Sequence, residues 1–308
     1  MKNYLFILLI CLGCASKKEI VAPKFEAKII STEKLSCRAI FVETDTVWLG
    51  MDKGRYGFYD KKKDTLIVKT IQSVSNTTEF RSIAATKEAI FILAVGNPAK
   101  LIKIDKKSLN ETLVYQEENE KVFYDSMQFV DDLNGFAMGD PTEDCLSFIK
   151  TTNGGNSWEK ISCVNFPKVS EGEAAFATSN TNLIVKGKSI FMVSGGKKSR
   201  VFVSHDFGIS WQVYETPIVQ GEEMTGIFTA DFYNDKIGII AGGNYLKQTQ
   251  NWSNKATSTN GGKTWHLIAE NEAFGYASCI QFVPNSKGNQ LISVGGTGMF
   301  YSDNFGKS

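Results

Sequence analysis

The chain has little histidine and little arginine. It contains two histidines, His205 and His266, and four arginines among its 34 Lys and Arg residues. So few histidines leave little room for a histidine-rich metal site. The 33 Asp and Glu residues reduce the net charge to +1, without the basic excess of a nucleic-acid binder. We therefore expect neither a metal centre nor a nucleic-acid partner.

Cofactor motifs are also missing. No G-x-G-x-x-G segment follows a strand and opens a helix, and no C-x-x-C-H segment occurs, so the sequence has neither a dinucleotide fingerprint nor a c-type haem site. We expect no cofactor. Apolar residues at 42% and charged residues at 22% are typical of a globular protein with a real core.

The N-terminus has the pattern of an export signal. A basic start precedes an apolar run over residues 4–12, which is too short to span a membrane. Gly13 and Cys14 after that run resemble a bacterial lipoprotein box. We expect a signal peptide at 1–13, lipid on Cys14, a tether at 14–25 and a folded domain at 26–308. The residues behind Cys14 favour the outer membrane, and plain cleavage is the alternative.

Beyond the tether the sequence repeats. Residues 151–158 (TTNGGNSW), 204–211 (SHDFGISW) and 258–265 (STNGGKTW) share one pattern, and 302–308 (SDNFGKS) repeats it without the tryptophan. Asn or Asp before Gly favours a tight hairpin turn. The tryptophans are 53 and 54 residues apart. This is the Asp-box, and its spacing predicts one four-stranded propeller blade per repeat.

Weaker copies of the repeat lie upstream, at 58–66 and 103–115. Six apolar segments end near a glycine, at 47–50, 90–96, 135–139, 190–195, 238–242 and 291–295. No segment shows sustained helical periodicity. We therefore predict an all-β fold, an Asp-box β-propeller of four-stranded blades with six blades begun in this sequence.

Several segments together resemble the family of photosystem II stability and assembly factors and their non-photosynthetic bacterial relatives. The segments are 80–85 (FRSIAA), 94–99 (AVGNPA), 139–141 (GDP), 172–177 (GEAAFA), 195–200 (GGKKSR) and 241–243 (AGG). The resemblance implies an exported propeller, generally of seven blades, that acts as an assembly scaffold for a membrane-protein precursor. Relatives are often catalogued as oxidoreductases. No residue here indicates a photosynthetic role.

The resemblance also implies that the full-length protein continues beyond Ser308 into a seventh blade. The alternative from the residues themselves is a ring of six blades, in which Phe25 to Ile30 supplies the outer strand of the last blade. In either case, an N-terminal strand would remove an exposed sheet edge.

Candidate binding residues cluster at one end of the predicted propeller. We expect them where the first strand of each blade starts and in the loops between second and third strands. They are Arg38, Arg81, Asp125, Asp140, Glu173, Arg200, Asn244 and Tyr276, with Thr225 and Asn97 nearby. Arginine suits carboxylate recognition, so this face could bind a polar ligand or a peptide carboxylate. The alternative is that these groups pair with one another.

We expect a binding or assembly scaffold rather than an enzyme, with an envelope or membrane protein or peptide as partner. One alternative is a sialidase-like hydrolase, which needs three arginines and a Tyr–Glu pair. The segment at Phe80 to Ile83 lacks the proline of the sialidase signature. A second alternative is an oxidoreductase, the name given to relatives, although no redox motif is present.

The cysteines are consistent with export. Cys145 and Cys163 lie nine residues either side of Gly154 in an Asp-box hairpin, so they can face each other on neighbouring strands. The sequence leaves two alternatives for them, a cross-strand disulfide or buried free thiols.

Overall fold

The computed structural model describes residues 25–308. The predicted signal peptide, Cys14 and the tether up to residue 24 lie outside the described residues. Within the described part, the one helical element is a 3₁₀ turn at Cys163–Asn165. No helix there is long and apolar enough to cross a membrane. The prediction of an all-β fold is confirmed.

Twenty-five strands form six consecutive blades. Blade 1 contains β1 (Cys37–Val42), β2 (Thr46–Met51), β3 (Arg55–Asp60) and β4 (Thr65–Thr70). Blade 2 contains β5 (Phe80–Ala85), β6 (Ala89–Ala94), β7 (Ala99–Asp105) and β8 (Glu111–Glu117). Blade 3 contains β9 (Tyr124–Phe129), β10 (Gly135–Gly139), β11 (Ser147–Thr151) and β12 (Glu159–Lys160).

The later blades depart from this plan in two places. Blade 4 contains β13 (Glu173–Ala174), β14 (Leu183–Lys186), β15 (Ser189–Val193), β16 (Gly195–Gly196), β17 (Arg200–Ser204) and β18 (Gln212–Glu215). Blade 5 contains β19 (Thr225–Phe232), β20 (Gly238–Asn244), β21 (Lys255–Ser258) and β22 (His266–Leu267). Blade 6 contains β23 (Cys279–Phe282), β24 (Leu291–Gly295) and β25 (Gly298–Ser302). The inner strand of blade 4 is thus split: β13 pairs with β16, which pairs in turn with β19 and so joins the sheet of blade 5. The sheet of blade 6 has three strands in the described residues.

Burial follows the position of each strand in its blade. The second strands lie between two neighbouring blades, and β6 (AIFILA) is buried at every residue. The outer strand β8 has no fully buried residue and includes exposed ones, because one of its faces meets solvent. The core is therefore a series of apolar layers between blades, such as the layer of Phe91, Met127 and Trp158 between blades 2 and 3.

The Asp-box turns join the third and fourth strands, as the sequence predicts. In the turn of blade 5, Asn260 Oδ1 accepts from Thr264 N at 3.0 Å, and Ser258 Oγ accepts from Gly262 N at 3.0 Å. Trp265 Nε1 donates to Gly262 O at 2.9 Å. In the weaker copy at 58–66, Asp60 still accepts two backbone N–H groups. These acidic and amide side chains therefore stabilise turns.

Blades 1 and 6 leave apolar side chains exposed, and we call their two facing surfaces the seam. Ile40 in β1 is 55% exposed, whereas Ile83, at the equivalent position of β5, is 1% exposed between blades 1 and 2. On blade 6, Val294 is 46% and Met299 is 53% exposed. Ile40 thus lacks the neighbouring blade that covers Ile83. A seventh blade at the seam stays a prediction.

The N-terminal segment crosses the seam without pairing as a strand. Phe25 packs edge-on against Tyr301 of blade 6, with ring centroids 6.2 Å apart. Three residues later, Lys28 Nζ donates to Asp64 Oδ1 of blade 1 at 2.6 Å. No residue from 25 to 30 is in a strand. The expectation that Phe25 to Ile30 forms the outer strand of blade 6 is therefore wrong, because this backbone runs from one blade to the other.

Candidate functional site

Three predicted residues occupy one structural position in consecutive blades. Arg38, Arg81 and Asp125 are each the extra residue of a β-bulge between the first and second strands of blades 1, 2 and 3. Phe228 takes the same position in blade 5. A bulge leaves its extra residue out of the ladder and re-aims its side chain. These bulges lie near the start of the inner strands, so we call this end of the propeller the channel face.

Two of the predicted arginines are bound within the protein. Arg81 donates Nε and Nη2 to Glu79 Oε2, at 3.0 and 2.8 Å, and its guanidinium lies 5.6 Å from the Phe123 ring centroid. Arg200 donates Nε to Glu173 Oε1 at 2.9 Å, and a second, short bond joins Nη2 to Oε2. Each arginine thus pairs with a carboxylate close to its own blade.

Glu173 is satisfied from several sides, and its side chain is completely buried. Ser194 Oγ donates to its Oε1 at 2.6 Å, and Ser170 N donates to its Oε2 at 2.8 Å. Arg200 also donates Nη2 to the carbonyl of Lys168 at 2.9 Å. The Glu173–Arg200 pair therefore holds the split inner strand of blade 4 against β17 and has little capacity left for a ligand.

Asp125, which is buried, and Asp140, which is partly buried, are two acidic residues of blade 3 whose charges interact. Asp125 is fully buried, and neither of its carboxylate oxygens has a hydrogen-bond partner among the described residues. Burial and the charge of Asp140 raise the pKa of Asp125 well above its usual value, against the opposing effect of Arg81. Burial raises the pKa of Asp140 to about 6, although Ala175 N donates to its Oδ1 at 2.9 Å.

Tyr276 belongs to an aromatic cluster on the same face. Its ring packs edge-on against Phe228 at 4.8 Å and against Tyr245 at 5.3 Å. Phe228 also stacks on Phe176 at 3.9 Å. Burial raises the pKa of Tyr276, while the charge of Arg38 acts in the opposite direction. The positive charge of Arg38 thus favours ionisation of a tyrosine in this cluster.

Asn244 has a local structural role. Its Oδ1 accepts from Leu246 N at 2.9 Å and from Lys247 N at 3.1 Å, and its Nδ2 donates to Glu222 Oε2 at 3.2 Å. These bonds shape the loop that follows β20. In that loop Tyr245 is 42% and Leu246 is 73% exposed, so the loop presents an apolar rim beside the aromatic cluster.

Arg38 differs from the other arginines. Arg55 pairs with Asp52, Arg81 with Glu79 and Arg200 with Glu173. Arg38 is exposed, and across residues 25–308 it has no carboxylate partner. It is thus the guanidinium on the channel face whose N–H donors stay available.

A segment that the sequence did not predict bonds to the inner strands of several blades, and we call residues 175–182 the plug. It lies between the two halves of the inner strand of blade 4. Asn180 Nδ2 donates to Ile83 O at 2.8 Å, and Met127 N donates to Asn180 Oδ1 at 2.9 Å. The bonds to blades 5 and 6 join Thr178 to Phe228 O, Ser179 to Ser278 O and Thr181 to Thr229. The plug thus satisfies backbone groups on the inner edges of four other blades.

A Tyr–Glu arrangement exists, but away from the arginines. Tyr124 and Tyr115 donate to Glu117 Oε2 at 2.7 and 2.8 Å, between blades 2 and 3, and Lys160 pairs with Glu117 Oε1. Burial raises the pKa of both tyrosines above the ordinary value. Burial opposes ionisation of Glu117, but the bonds from Lys160 and the tyrosines hold its pKa below the ordinary value. Both phenols therefore stay protonated donors.

Cys145 and Cys163 are joined by a disulfide with their Cα atoms 5.6 Å apart. The two residues flank the hairpin rather than facing each other on neighbouring strands. Cys145 forms an isolated bridge with Lys168 before β11, and Cys163 lies in the 3₁₀ turn after β12. Cys37 and Cys279 are free thiols. Within residues 25–308, no group of three His, Cys, Asp or Glu side chains is placed to hold a metal ion.

The comparisons with known proteins identify the kind of fold. The model of the BNR/Asp-box repeat matches residues 256–267, the third intact box. The chain is a β-propeller that carries a BNR/Asp-box repeat. No curated protein matches the propeller, so its function cannot be carried over from one.

Solved structures share the architecture at low identity. The structure titled "YCF48 bound to D1 peptide" is similar over 89% of this chain and 79% of that chain, with a TM-score of 0.62 and 11% identity. "Structure of U3-55K" is similar over 86% and 76%, with a TM-score of 0.60 and 10% identity. A chain of "Crystal Structure of Mitotic Checkpoint Complex" is similar over 89% and 76%, with a TM-score of 0.63 and 7% identity. At these identities the likeness shows the fold alone.

Proposed function

We propose that the propeller is an exported, lipid-anchored scaffold that binds the carboxylate end of a peptide or protein partner on its channel face. The single observation that carries this proposal is the available guanidinium of Arg38, which is exposed on the channel face that also carries the aromatic cluster of Tyr276 and Tyr245. The other arginines of the chain already pair with carboxylates.

The groups on the channel face favour a peptide whose C-terminal carboxylate follows an apolar side chain. A guanidinium offers paired N–H donors that match the two oxygens of a carboxylate. The neighbouring rim of Tyr245 and Leu246 is exposed and apolar. A peptide ending in an apolar residue would contact both. A similar propeller has been solved as "YCF48 bound to D1 peptide", which supports peptide binding by this architecture.

The plug supports binding at the rim. Residues 175–182 bond at the inner strands of blades 2, 3, 5 and 6. A ligand that entered the channel would have to break these bonds. A partner at Arg38 would break none of these bonds, so the surface around Arg38 is more accessible to a ligand than the channel.

The test uses an array of peptides that copy the C-termini of envelope proteins of the same organism, each made as a free acid and as an amide. We expect a subset of the acids to bind and their amides to bind about 10-fold to 100-fold more weakly, as for the loss of a charge-assisted hydrogen bond. Arg38→Gln should weaken binding of the acids by a similar factor and leave the amides unchanged.

A matched control is Arg55→Gln in the same blade, because Arg55 is already paired with Asp52. This variant should bind the peptides as the parent does. Equal binding of acids and amides, or an equal loss in the two variants, would overturn the assignment of Arg38.

Anchoring through Cys14 is part of the proposal and rests on the lipoprotein-like sequence at residues 1–14. One acyl-modified cysteine would place the propeller at a membrane surface, in our proposal at the outer membrane. Mass spectrometry of the N-terminal peptide should find a diacylglyceryl cysteine at residue 14. Cys14→Ser should release the protein into the soluble fraction, and membrane retention of this variant would contradict the anchor.

A glycan-active enzyme is the second candidate, and the Tyr–Glu contact between blades 2 and 3 is the observation that favours it. Both tyrosines have raised pKa values, whereas a nucleophile needs activation. A fluorogenic sialoside tests this directly, and turnover that Tyr124→Phe abolishes would replace the scaffold with a hydrolase. The name oxidoreductase, given to relatives, has no residue to support it here.

A further inference from the structure

One repeated hydrogen bond joins the inner strands of neighbouring blades. Ser126 is the residue after the bulge in β9, and its hydroxyl accepts from Leu183 N of blade 4 at 3.3 Å. Thr229 is the residue after the bulge in β19, and its hydroxyl accepts from Ile280 N of blade 6 at 3.0 Å. A side chain at this position thus satisfies a backbone N–H group of the next blade.

Ser82 and Asn182 have the same position in blades 2 and 4 but make no such bond. Ser82 follows the bulge in β5. Asn182 precedes Leu183, and its carbonyl accepts from Val193 N of β15. Both residues are fully buried, and neither the Ser82 hydroxyl nor the Asn182 side-chain amide has a hydrogen-bond partner among the described residues. Each position therefore holds an unused acceptor, which costs free energy when buried.

The plug takes the two donors that these acceptors would bind. Met127 N donates to Asn180 Oδ1 at 2.9 Å, and Ala230 N donates to the carbonyl of Thr181 at 2.9 Å. Each donor has the position in its own inner strand that Leu183 has in blade 4. The two buried side chains are thus unpartnered because plug residues accept in their place.

We propose that the plug is a releasable segment, with a docked state and a released state that compete for the same two backbone donors. In the docked state, Asn180 and Thr181 accept from these donors. In the released state, Ser82 and Asn182 would accept from them, in the manner of Ser126. Release therefore leaves neither donor without an acceptor, which lowers its cost in free energy.

Release would also free backbone groups of three other blades. The docked plug donates to the carbonyls of Ile83, Phe228 and Ser278, and these carbonyls would then be open to another donor. The plug thus controls access to the inner strands. Arg38 takes no part in this exchange, so release can occur whether or not the channel face binds a peptide.

The test follows release through the reactivity of a thiol placed in the plug. Ala177 is 7% exposed, so Ala177→Cys, in a protein that also carries Cys37→Ser and Cys279→Ser, should react with a maleimide when the plug is released. Ser82→Ala removes no hydrogen bond of the docked state but removes an acceptor of the released state. We expect Ser82→Ala to slow the labelling by about 5-fold, the usual net effect of one hydrogen bond.

Two controls separate release from other effects. Ser126→Ala should not slow the labelling, because the Ser126 hydroxyl accepts from Leu183 N in both states. Ala137 is 0% exposed between the blades, so labelling of Ala137→Cys reports wider unfolding. Ser82→Ala should slow labelling at Ala177→Cys about 5-fold more than at Ala137→Cys. Equal slowing at the two sites, or no slowing at Ala177→Cys, would overturn the proposal.

Amide hydrogen exchange provides a second measurement without an added cysteine. In Asn180→Gly, the Met127 amide should stay protected, because its N–H passes to the Ser82 hydroxyl. In the double variant Asn180→Gly/Ser82→Ala, this amide should exchange at least about 10-fold faster than in Asn180→Gly. Equal exchange in the single and the double variant would contradict the transfer of the donor and overturn the proposal.

Discussion

Replacing Asp125 by Asn should stabilise the propeller at neutral pH. Asp125 is completely buried with both oxygens unpartnered, and the nearby Asp140 has a pKa raised to about 6 from 3.8. A shift of this size corresponds to about 3 kcal/mol between the protonated and ionised states. Asparagine cannot ionise, so Asp125→Asn removes a buried group that resists ionisation, while the burial that raises the pKa of Asp140 is unchanged.

The sign of the pH dependence follows from the raised pKa values. Between about pH 4 and pH 6 the folded state binds more protons than the unfolded state, so this pair contributes stability at low pH that is lost as the pH rises through about 6. Asp125→Asn should therefore exceed the parent by about 1–3 kcal/mol at pH 7, and the difference should shrink toward zero at pH 4. The upper value applies only if the new amide finds partners.

Urea unfolding followed by tryptophan fluorescence at pH 4, 5, 6 and 7 measures this difference. Asp206→Asn is a control of opposite sign. Bonds from the Ser210 side chain and backbone lower the pKa of Asp206 to about 2, so its stabilisation is present at pH 7 and is lost as the pH falls through about 2. If Asp125→Asn destabilises the protein at pH 7, or shifts stability equally at every pH, the buried pair is ionised and the reasoning fails.

Three further predictions concern packing, the plug and the disulfide. Ile83→Ala should lower the unfolding free energy by about 2–4 kcal/mol and Ile40→Ala by less than about 1 kcal/mol, because only Ile83 is covered by a neighbouring blade. Equal decreases in urea unfolding would show that Ile40 is covered too. Asn180→Gly allows the left-handed backbone at φ 62° and removes the hydrogen bonds to blades 2 and 3, so it should lower the unfolding free energy by about 1–3 kcal/mol. An unchanged midpoint in urea unfolding would show that the plug does not hold the blades together. Cys163→Ser removes the disulfide that closes a loop of 18 residues and should lower the unfolding free energy by about 3 kcal/mol. Reduction of the parent protein should lower it by the same amount in urea unfolding. If neither change lowers the unfolding free energy, the disulfide has no structural role.

The fold could be predicted from local patterns because each Asp-box carries its own turn. The Asn-Gly and Asp-x-Gly segments fix a hairpin between the third and fourth strands, and the apolar second strands are buried on both faces. The weaker copy around Asp60 forms the same turn without a glycine, since the aspartate alone binds two backbone N–H groups. Local chemistry therefore suffices at these positions.

The channel face could be predicted only in outline. The sequence indicated which residues lie near the inner strands, but the role of each depends on contacts between distant segments. Glu173 and Arg200 are 27 residues apart and meet because the inner strand of blade 4 is split. Arg38, Arg81 and Asp125 likewise lie in bulges because of the register in which the first and second strands of their blades pair. The run of Ser, Thr and Asn at 178–182 was the available signal for the plug.

The available arginine and an exposed apolar residue lie close together in the sequence of blade 1. Arg38 and Ile40 are two residues apart in β1, and Val294 and Met299 of blade 6 are also exposed. A partner that binds Arg38 would therefore also meet apolar surface of the seam, which adds affinity without a further charge. Anything that covers the seam, such as an additional blade, would compete with the partner for Ile40 but not for the rim of Tyr245 and Leu246. Comparing Ile40→Ser with Leu246→Ser in the peptide assay separates these cases, because a loss confined to Leu246→Ser places the partner on the rim alone.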